Sequence, residues 1–221
     1  MICFVGSSFA ALTLKEGARR RGLEITEDAR EASLIFISED TPTDEHGKRD
    51  LEKISHLIDK HPYPIVLTSQ VPPGFCRSLR YPVYYQAETL RIEDALQRAL
   101  HPEMFIVGYR DADFKLPRAY QEYLEAFDCP ILKMSYEDAE FAKIAINATL
   151  ISQVETTNML ARHAEKCGAD WVKVARALRH DSRIGKYAYL TPGAWQPSRH
   201  LMRDFATLNE IEPDKLLEAW R

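Results

Sequence analysis

Long hydrophobic runs are missing from this chain. No apolar stretch approaches the roughly 18 residues that cross a bilayer, which argues against a membrane-embedded protein. Long basic runs are missing too: 29 Lys and Arg stand against 33 Asp and Glu, a formal charge of -4. That balance argues against nucleic acid or an anionic membrane as the main partner. Cysteine is scarce, and Cys3, Cys76, Cys129 and Cys167 lack metal-ligand spacing, so neither a zinc site nor a disulfide framework is expected and the thiols read as reduced and mostly buried. Met1 leads straight into the strand-like Ile-Cys-Phe-Val-Gly with no basic leader, so the expected location is cytoplasmic.

What is present is an ordinary globular composition, 45% hydrophobic and 28% charged over 221 residues, enough for one or two compact units. The stretch Ser135 to Gly185 organises it. Ser135 followed by Asp138 forms a loose capping box. Apolar residues then recur at helical spacing through Phe141, Ile144, Ala148 and Ile151 toward Leu160. The pattern predicts one long helix ending near Cys167, with Gly168 as its left-handed stop and Asp170 as the cap of a second helix, Trp171 to Arg179. Lys143 and Asn147 stand one turn apart on the long helix, beside Ile144 and Ile151, where an amine and an amide on a half-apolar face invite a site.

Upstream, alternating strand-like and helical segments predict an α/β fold. Met1 to Val5 feeds Gly6-Ser7-Ser8-Phe9-Ala10-Ala11, followed by a helix from Leu12 to Arg21 closed by Gly22. This is the place of a dinucleotide fingerprint, whose glycines let backbone approach a pyrophosphate at a helix start. Only Gly6 matches; Ser8 and Ala11 hold the other two glycine positions, and Ser8 is expected to put a side chain where the pyrophosphate would lie. Leu51 to Lys60 reads as a helix, Ile65 to Thr68 as a buried strand, Asp111 to Phe127 as a loop and helix, Pro130 to Met134 as the last strand, and Lys215 to Trp220 as a terminal helix.

The order Glu140, Lys143, Asn147, Gly168-Ala169-Asp170 and Asp181-Ser182-Arg183-Ile184-Gly185 resembles the central helical region of the UDP-glucose/GDP-mannose (nucleotide-sugar) dehydrogenase family. Further segments carry the likeness along the chain. Leu23 to Ser38 resembles a later family segment, as though the second strand of the nucleotide fold and its helix were deleted, and Thr41-Pro42-Thr43 restores the register. Ser69-Gln70-Val71-Pro72-Pro73-Gly74 stands where the family has Ser-Thr-Val-Pro-Pro-Gly, with Gln70 replacing a threonine that helps organise catalytic water. Ala87 to Gly108 aligns without a gap, putting Glu88 at the catalytic glutamate and keeping Leu90 and Arg91. Counting from Pro192-Gly193, the nucleophilic cysteine becomes His200, Arg203 replaces a lysine, Asp204 is kept, and three loop glycines become Trp195, Pro197 and Ser198.

The resemblance implies a reduced Rossmann-like domain over 1–134 and a central helical, dimerising region over 135–221. It implies NAD as cofactor, with Gly6, Ser8 and Ala11 at its loop, and a nucleotide sugar as substrate, with Leu90, Arg91 and Arg203 toward it. Lys143, Asn147, Asp204, Glu88 and His200 fall at the catalytic positions, and no metal is implied. In the family a second Rossmann-like domain follows and carries most nucleotide contacts; with the sequence ending at Arg221, it is expected to be missing here. Family members oxidise a primary alcohol in two hydride steps, the cysteine holding the aldehyde as a thiohemiacetal; an imidazole forms no comparable oxidisable adduct, so the four-electron reaction is expected to be lost. Two alternatives stay open: a non-catalytic dimer that binds a ligand or protein through the old cleft, or an enzyme of different acid-base chemistry in that cleft. A helix of roughly thirty residues in so small a chain also predicts self-association as a homodimer.

Overall fold

A computed structural model describes residues 1–44, 49–61, 64–111, 115–193, 204, 207 and 208. They fall into two compact units, Met1–Lys143 and Ile144–Arg221. The first is an α/β unit built on one six-stranded sheet: β1 (Ile2–Val5), β2 (Leu34–Ile37), β3 (Ile65–Leu67), β4 (Tyr84–Gln86), β5 (Phe105–Tyr109) and β6 (Ile131–Ser135), lying side by side in chain order. Neighbours run parallel except β4 against β5.

This order explains what was trimmed. In the usual doubly wound arrangement two further strands lie outside the first. Here β1 pairs with β2 on one side, Ile2 opposite Leu34 through Val5 opposite Ile37, and on the other side holds only a single parallel bridge from Ile2 to Ile25. The Ile2 amide donates to the Glu24 carbonyl and the Thr26 amide to the Ile2 carbonyl, so the outer strand survives as one residue's pairing. The acids that follow are spent locally, Glu27 on Lys15 at 2.5 Å and Asp28 on Arg30 at 2.6 Å.

The helices are α1 (Phe9–Arg20), α2 (Glu52–Lys60), α3 (Phe75–Ser78), α4 (Ala95–Leu100), α5 (Arg118–Glu125), α6 (Tyr136–Lys166) and α7 (Trp171–His180). A core of Phe4, Phe36, Tyr84, Phe105, Tyr120, Tyr123 and Phe127 joins the sheet to α5, with Leu14 and Ala18 of α1 packed in the same cluster. Phe4 stacks on Phe36 with ring centroids 4.9 Å apart. The tyrosines of this core carry hydroxyls that need partners when buried; Tyr120 donates to Gln86 Oε1 at 2.9 Å and Tyr84 to the Lys115 carbonyl at 2.9 Å.

α1 begins three residues earlier than its apolar pattern predicts. The reason is Ser8, which caps it by accepting the Ala11 amide at 3.1 Å. The long helix behaves as its sequence requires: Ser135 Oγ accepts the Asp138 amide at 3.2 Å and donates to Asp138 Oδ2 at 2.7 Å. At its far end Gly168 has a φ of +74° and the Ala169 amide reaches back to the Ala164 carbonyl at 2.8 Å, a Schellman closure. Asp170 then caps α7 by accepting the Val172 amide at 2.9 Å.

The first unit extends past β6 to Lys143 because the opening turns of α6 are fastened to it. Tyr136 donates to the Val83 carbonyl, and Ala139 and Glu140 are fully buried. In the second unit α6 and α7 are tied to the segment after α7 by side-chain bonds: from α6, Thr157 donates to the Tyr189 carbonyl at 2.6 Å and Gln153 Oε1 accepts the Tyr189 amide at 3.1 Å; from α7, Trp171 Nε1 donates to the Leu190 carbonyl at 3.0 Å. The predicted helix Lys215–Trp220 lies outside the described residues. No helix among the described residues is long and apolar enough to cross a membrane.

Candidate functional site

The β1–α1 loop comes first, because a bound dinucleotide would lay its pyrophosphate there. Gly6 is required at the turn: its φ is +132°, and a Cβ would lie 2.0 Å from the Ser38 carbonyl oxygen. The loop thus runs directly against the carboxyl end of β2. Ser8 fastens it there. Its hydroxyl donates to the Ser38 carbonyl at 2.9 Å while capping α1, and the residue is buried. This corrects the expectation that Ser8 projects into the phosphate space: the first turn of α1 and the end of β2 both need a hydroxyl partner, so the side chain turns inward. Ala11, at the third glycine position, is buried in the face of α1.

What meets the loop instead is Glu39. The Ser7 amide donates to Glu39 Oε1 at 2.9 Å, and Lys53 Nζ lies 2.8 Å from Glu39 Oε2. The Glu39 backbone is itself fixed, its amide donating to Ser69 Oγ at 2.8 Å. Burial pushes this carboxyl up, but the Lys53 ammonium and the Ser7 amide outweigh it and hold it below the ordinary range, so it is a carboxylate at neutral pH. A backbone amide of the loop is therefore taken by the chain's own anion. Together with the missing outer strand, this makes the described residues a poor fit to NAD.

The segment 74–77 is held by the acids of α6. Glu140 accepts the Gly74 amide at 2.6 Å and the Cys76 amide at 2.8 Å, and Glu137 makes a two-pronged bond to Arg77 at 2.9 and 3.0 Å. Arg77 holds the Glu137 carboxyl down at about 2. The acidic positions of the helical motif thus act as a latch on the turn after Pro72-Pro73. Thr41 Oγ1 donates to the Gln70 carbonyl at 3.3 Å, tying in the turn's other end.

Glu88 is turned on its own loop, where its Oε1 accepts the Leu90 amide. It lines a cavity of about 30 Å³ with Leu14, Gln86, Leu90 and Arg98, room for a water and not for a sugar. Arg91 is exposed and pairs with Asp94. A wide concavity of about 900 Å³ lies elsewhere on this unit, lined by Pro42, Thr43, Arg49, Ser55 and His56 among others, and contains none of the predicted site residues.

Lys143 closes the first unit, and Asn147 stands one turn further along α6 in the second. There the structure brings two predicted residues together: Asn147 Nδ2 donates to Asp204 Oδ2 at 2.6 Å, with Asp204 fully buried. His200 and Arg203 lie outside the described residues. The thiols of the first unit are not activated to replace a nucleophile: burial pushes Cys3, Cys76 and Cys129 upward, and at Cys76 the neighbouring Glu140 adds to the effect. A reactive thiol needs the opposite shift.

Comparison with known proteins points to one enzyme family. The central-domain model of the UDP-glucose/GDP-mannose dehydrogenase family matches residues 137–217. UDP-glucose 6-dehydrogenase TuaD of Bacillus subtilis is 27% identical over 219 residues, covering 89% of this chain and 47% of that protein. UDP-glucose 6-dehydrogenase YwqF of the same organism is 31% identical over 173 residues, covering 70% of this chain and 39% of its own length. A solved UDP-glucose dehydrogenase from Pyrobaculum islandicum superposes with a TM-score of 0.71 at 25% identity, covering 92% of this chain and 52% of that one. The chain, which spans about half the length of such relatives, belongs to the UDP-glucose/GDP-mannose dehydrogenase family.

Proposed function

We propose that this chain is a divergent nucleotide-sugar dehydrogenase that keeps part of the alcohol-handling site but does not complete the oxidation to an acid. The observation that carries the reading is the Asn147–Asp204 contact, which holds an amide and a buried carboxylate of the family's site in fixed relation. Fixed groups of this kind order water or a hydroxyl without reorganising during reaction. The second oxidation is another matter. It needs a thiol at the position held by His200, and the buried cysteines of the first unit do not supply one.

Incubation with NAD and UDP-glucose, followed by mass spectrometry, is expected to yield no UDP-uronic acid above a protein-free control. Catalytic accumulation of that acid by the unmodified protein would refute the proposal. Changing His200→Cys is expected to leave the result unchanged, since the sequence also has Trp195 and Pro197 where the family it resembles has glycines, and neither residue has glycine's backbone freedom. The Glu39 carboxylate on the cofactor loop favours a second reading, a member that binds its ligand without turnover.

Self-association through α6 belongs to the same proposal. Phe141, Met159 and Leu160 are exposed on this helix, more apolar surface than one small unit covers. Light scattering at micromolar protein is expected to give a dimer; a monomer alone would remove this part of the reading.

A further inference from the structure

We infer that Glu39 is a specificity-determining residue: its carboxylate takes the place of a phosphate at the β1–α1 loop and keeps dinucleotides out. Three observations converge on it. The Ser7 amide, the first after the Gly6 turn, donates to Glu39 Oε1 at 2.9 Å, and the Ser7 hydroxyl lies 3.5 Å from the same oxygen. The other oxygen is neutralised by Lys53 at 2.8 Å, and the Glu39 side chain is only 8% exposed, so the charge is held in place rather than waving in solvent. The backbone beneath cannot shift easily, because Ser69 fixes the Glu39 amide and Gly6 and Ser8 lock the loop to Ser38.

Electrostatics sets the consequence. A pyrophosphate approaching this turn would meet a fixed negative charge within hydrogen-bond distance of the amide it needs, and like charges at such range repel strongly in a partly buried setting. To bind, it would have to displace Glu39 from both Ser7 and Lys53. The chain thus carries its own anion where its relatives' fold receives one. The inference stands on the loop geometry and not on the turnover reading: uronic acid production is the test of that reading, and the affinity of Glu39 variants is the test of this one.

The experiment is calorimetric titration of the full chain with NAD and, separately, with ADP. The wild type is expected to bind neither more tightly than about millimolar. Glu39→Ala, which empties the position, and Glu39→Gln, which keeps its shape and its acceptor for Ser7, are both expected to gain at least tenfold in affinity, about 1.4 kcal/mol. Gln is nearly isosteric, so it carries the test should the alanine variant fold poorly. Glu27→Gln, which removes an equal charge from the exposed Lys15 pair, is the control and is expected to change affinity little. Micromolar NAD binding by the wild type would overturn the inference. So would Glu39 variants no tighter than wild type, or a Glu27→Gln gain as large as that of Glu39→Gln.

Discussion

Replacing Glu140 by leucine is expected to lower the stability of the chain by about 3 kcal/mol, because two backbone amides lose their acceptor together. Glu140 is 0% exposed and lies on the first turns of α6, yet its oxygens reach the Gly74 and Cys76 amides, more than sixty positions away in sequence. Leucine fills similar volume but leaves those donors buried and unpaired. For a chain of this size the loss corresponds to roughly 6–12 °C in melting temperature. Glu140→Gln keeps one acceptor and is expected to cost about 1 kcal/mol. A leucine variant that melts with the wild type would mean that the latch between α6 and the 74–77 turn is not formed.

The same residue gives a pH signature. Burial raises the Glu140 carboxyl above its ordinary 4.5, more than the Cys76 and Gly74 bonds lower it, and Glu137 adds to the rise. The native protein therefore binds this proton before the unfolded chain does. Its contribution to stability is fully present below the unfolded value and is lost as pH rises through the native one. The gap in melting temperature between wild type and Glu140→Gln is accordingly expected to widen as pH falls from neutral toward 4.5. Carboxylates away from Glu140 that titrate lower, such as Asp28 against Arg30, affect both proteins alike and cancel in the difference.

These contacts show which parts of the molecule were legible in the sequence. The bounds of α6 and α7 were readable because caps act over three or four residues: Ser135 with Asp138, Gly168, then Asp170. The deletion beside β1 was readable because it removes a whole segment from an otherwise continuous pattern, and the structure leaves only the Ile2–Ile25 bridge there. The antiparallel β4 carried no such signal. It is three residues long, and its pairing with β5 is set by a partner some twenty residues on, across α4.

The site was legible in the same uneven way. Asn147 and Asp204 stood out as motif positions, and their contact brings them together across 57 positions. Glu39 did not stand out. Nothing in its neighbourhood distinguishes it from a surface acid, and its role depends on where β2 ends relative to a loop 32 residues earlier. The size of Ser8 is plain from its identity, whereas its direction is decided by two hydrogen bonds, one local and one to Ser38. Composition and spacing identify which groups are available; tertiary contacts decide which way they point.

Gly6→Ala is expected to be the most damaging single substitution in the first unit, costing roughly 4 kcal/mol or more and melting the β1–α1 junction. Two causes act together. A φ of +132° is a conformation that an L side chain rarely adopts, and the added methyl would lie 2.0 Å from the Ser38 carbonyl oxygen and 2.8 Å from its carbon. Neither atom is the end of a flexible side chain, so relief requires the loop to leave β2. That movement would break the Ser8–Ser38 bond, the cap on α1 and the Ser7–Glu39 contact at once. Gly22→Ala separates the two causes. Gly22 also has a positive φ, +80°, but a Cβ there meets nothing within 4 Å, so only backbone strain of about 1–2 kcal/mol is expected. Thermal melting of the two variants should therefore differ by roughly 4 °C or more. Equal melting temperatures would show that the loop does not press on the end of β2, and would remove the geometric basis for placing Glu39 on the Ser7 amide.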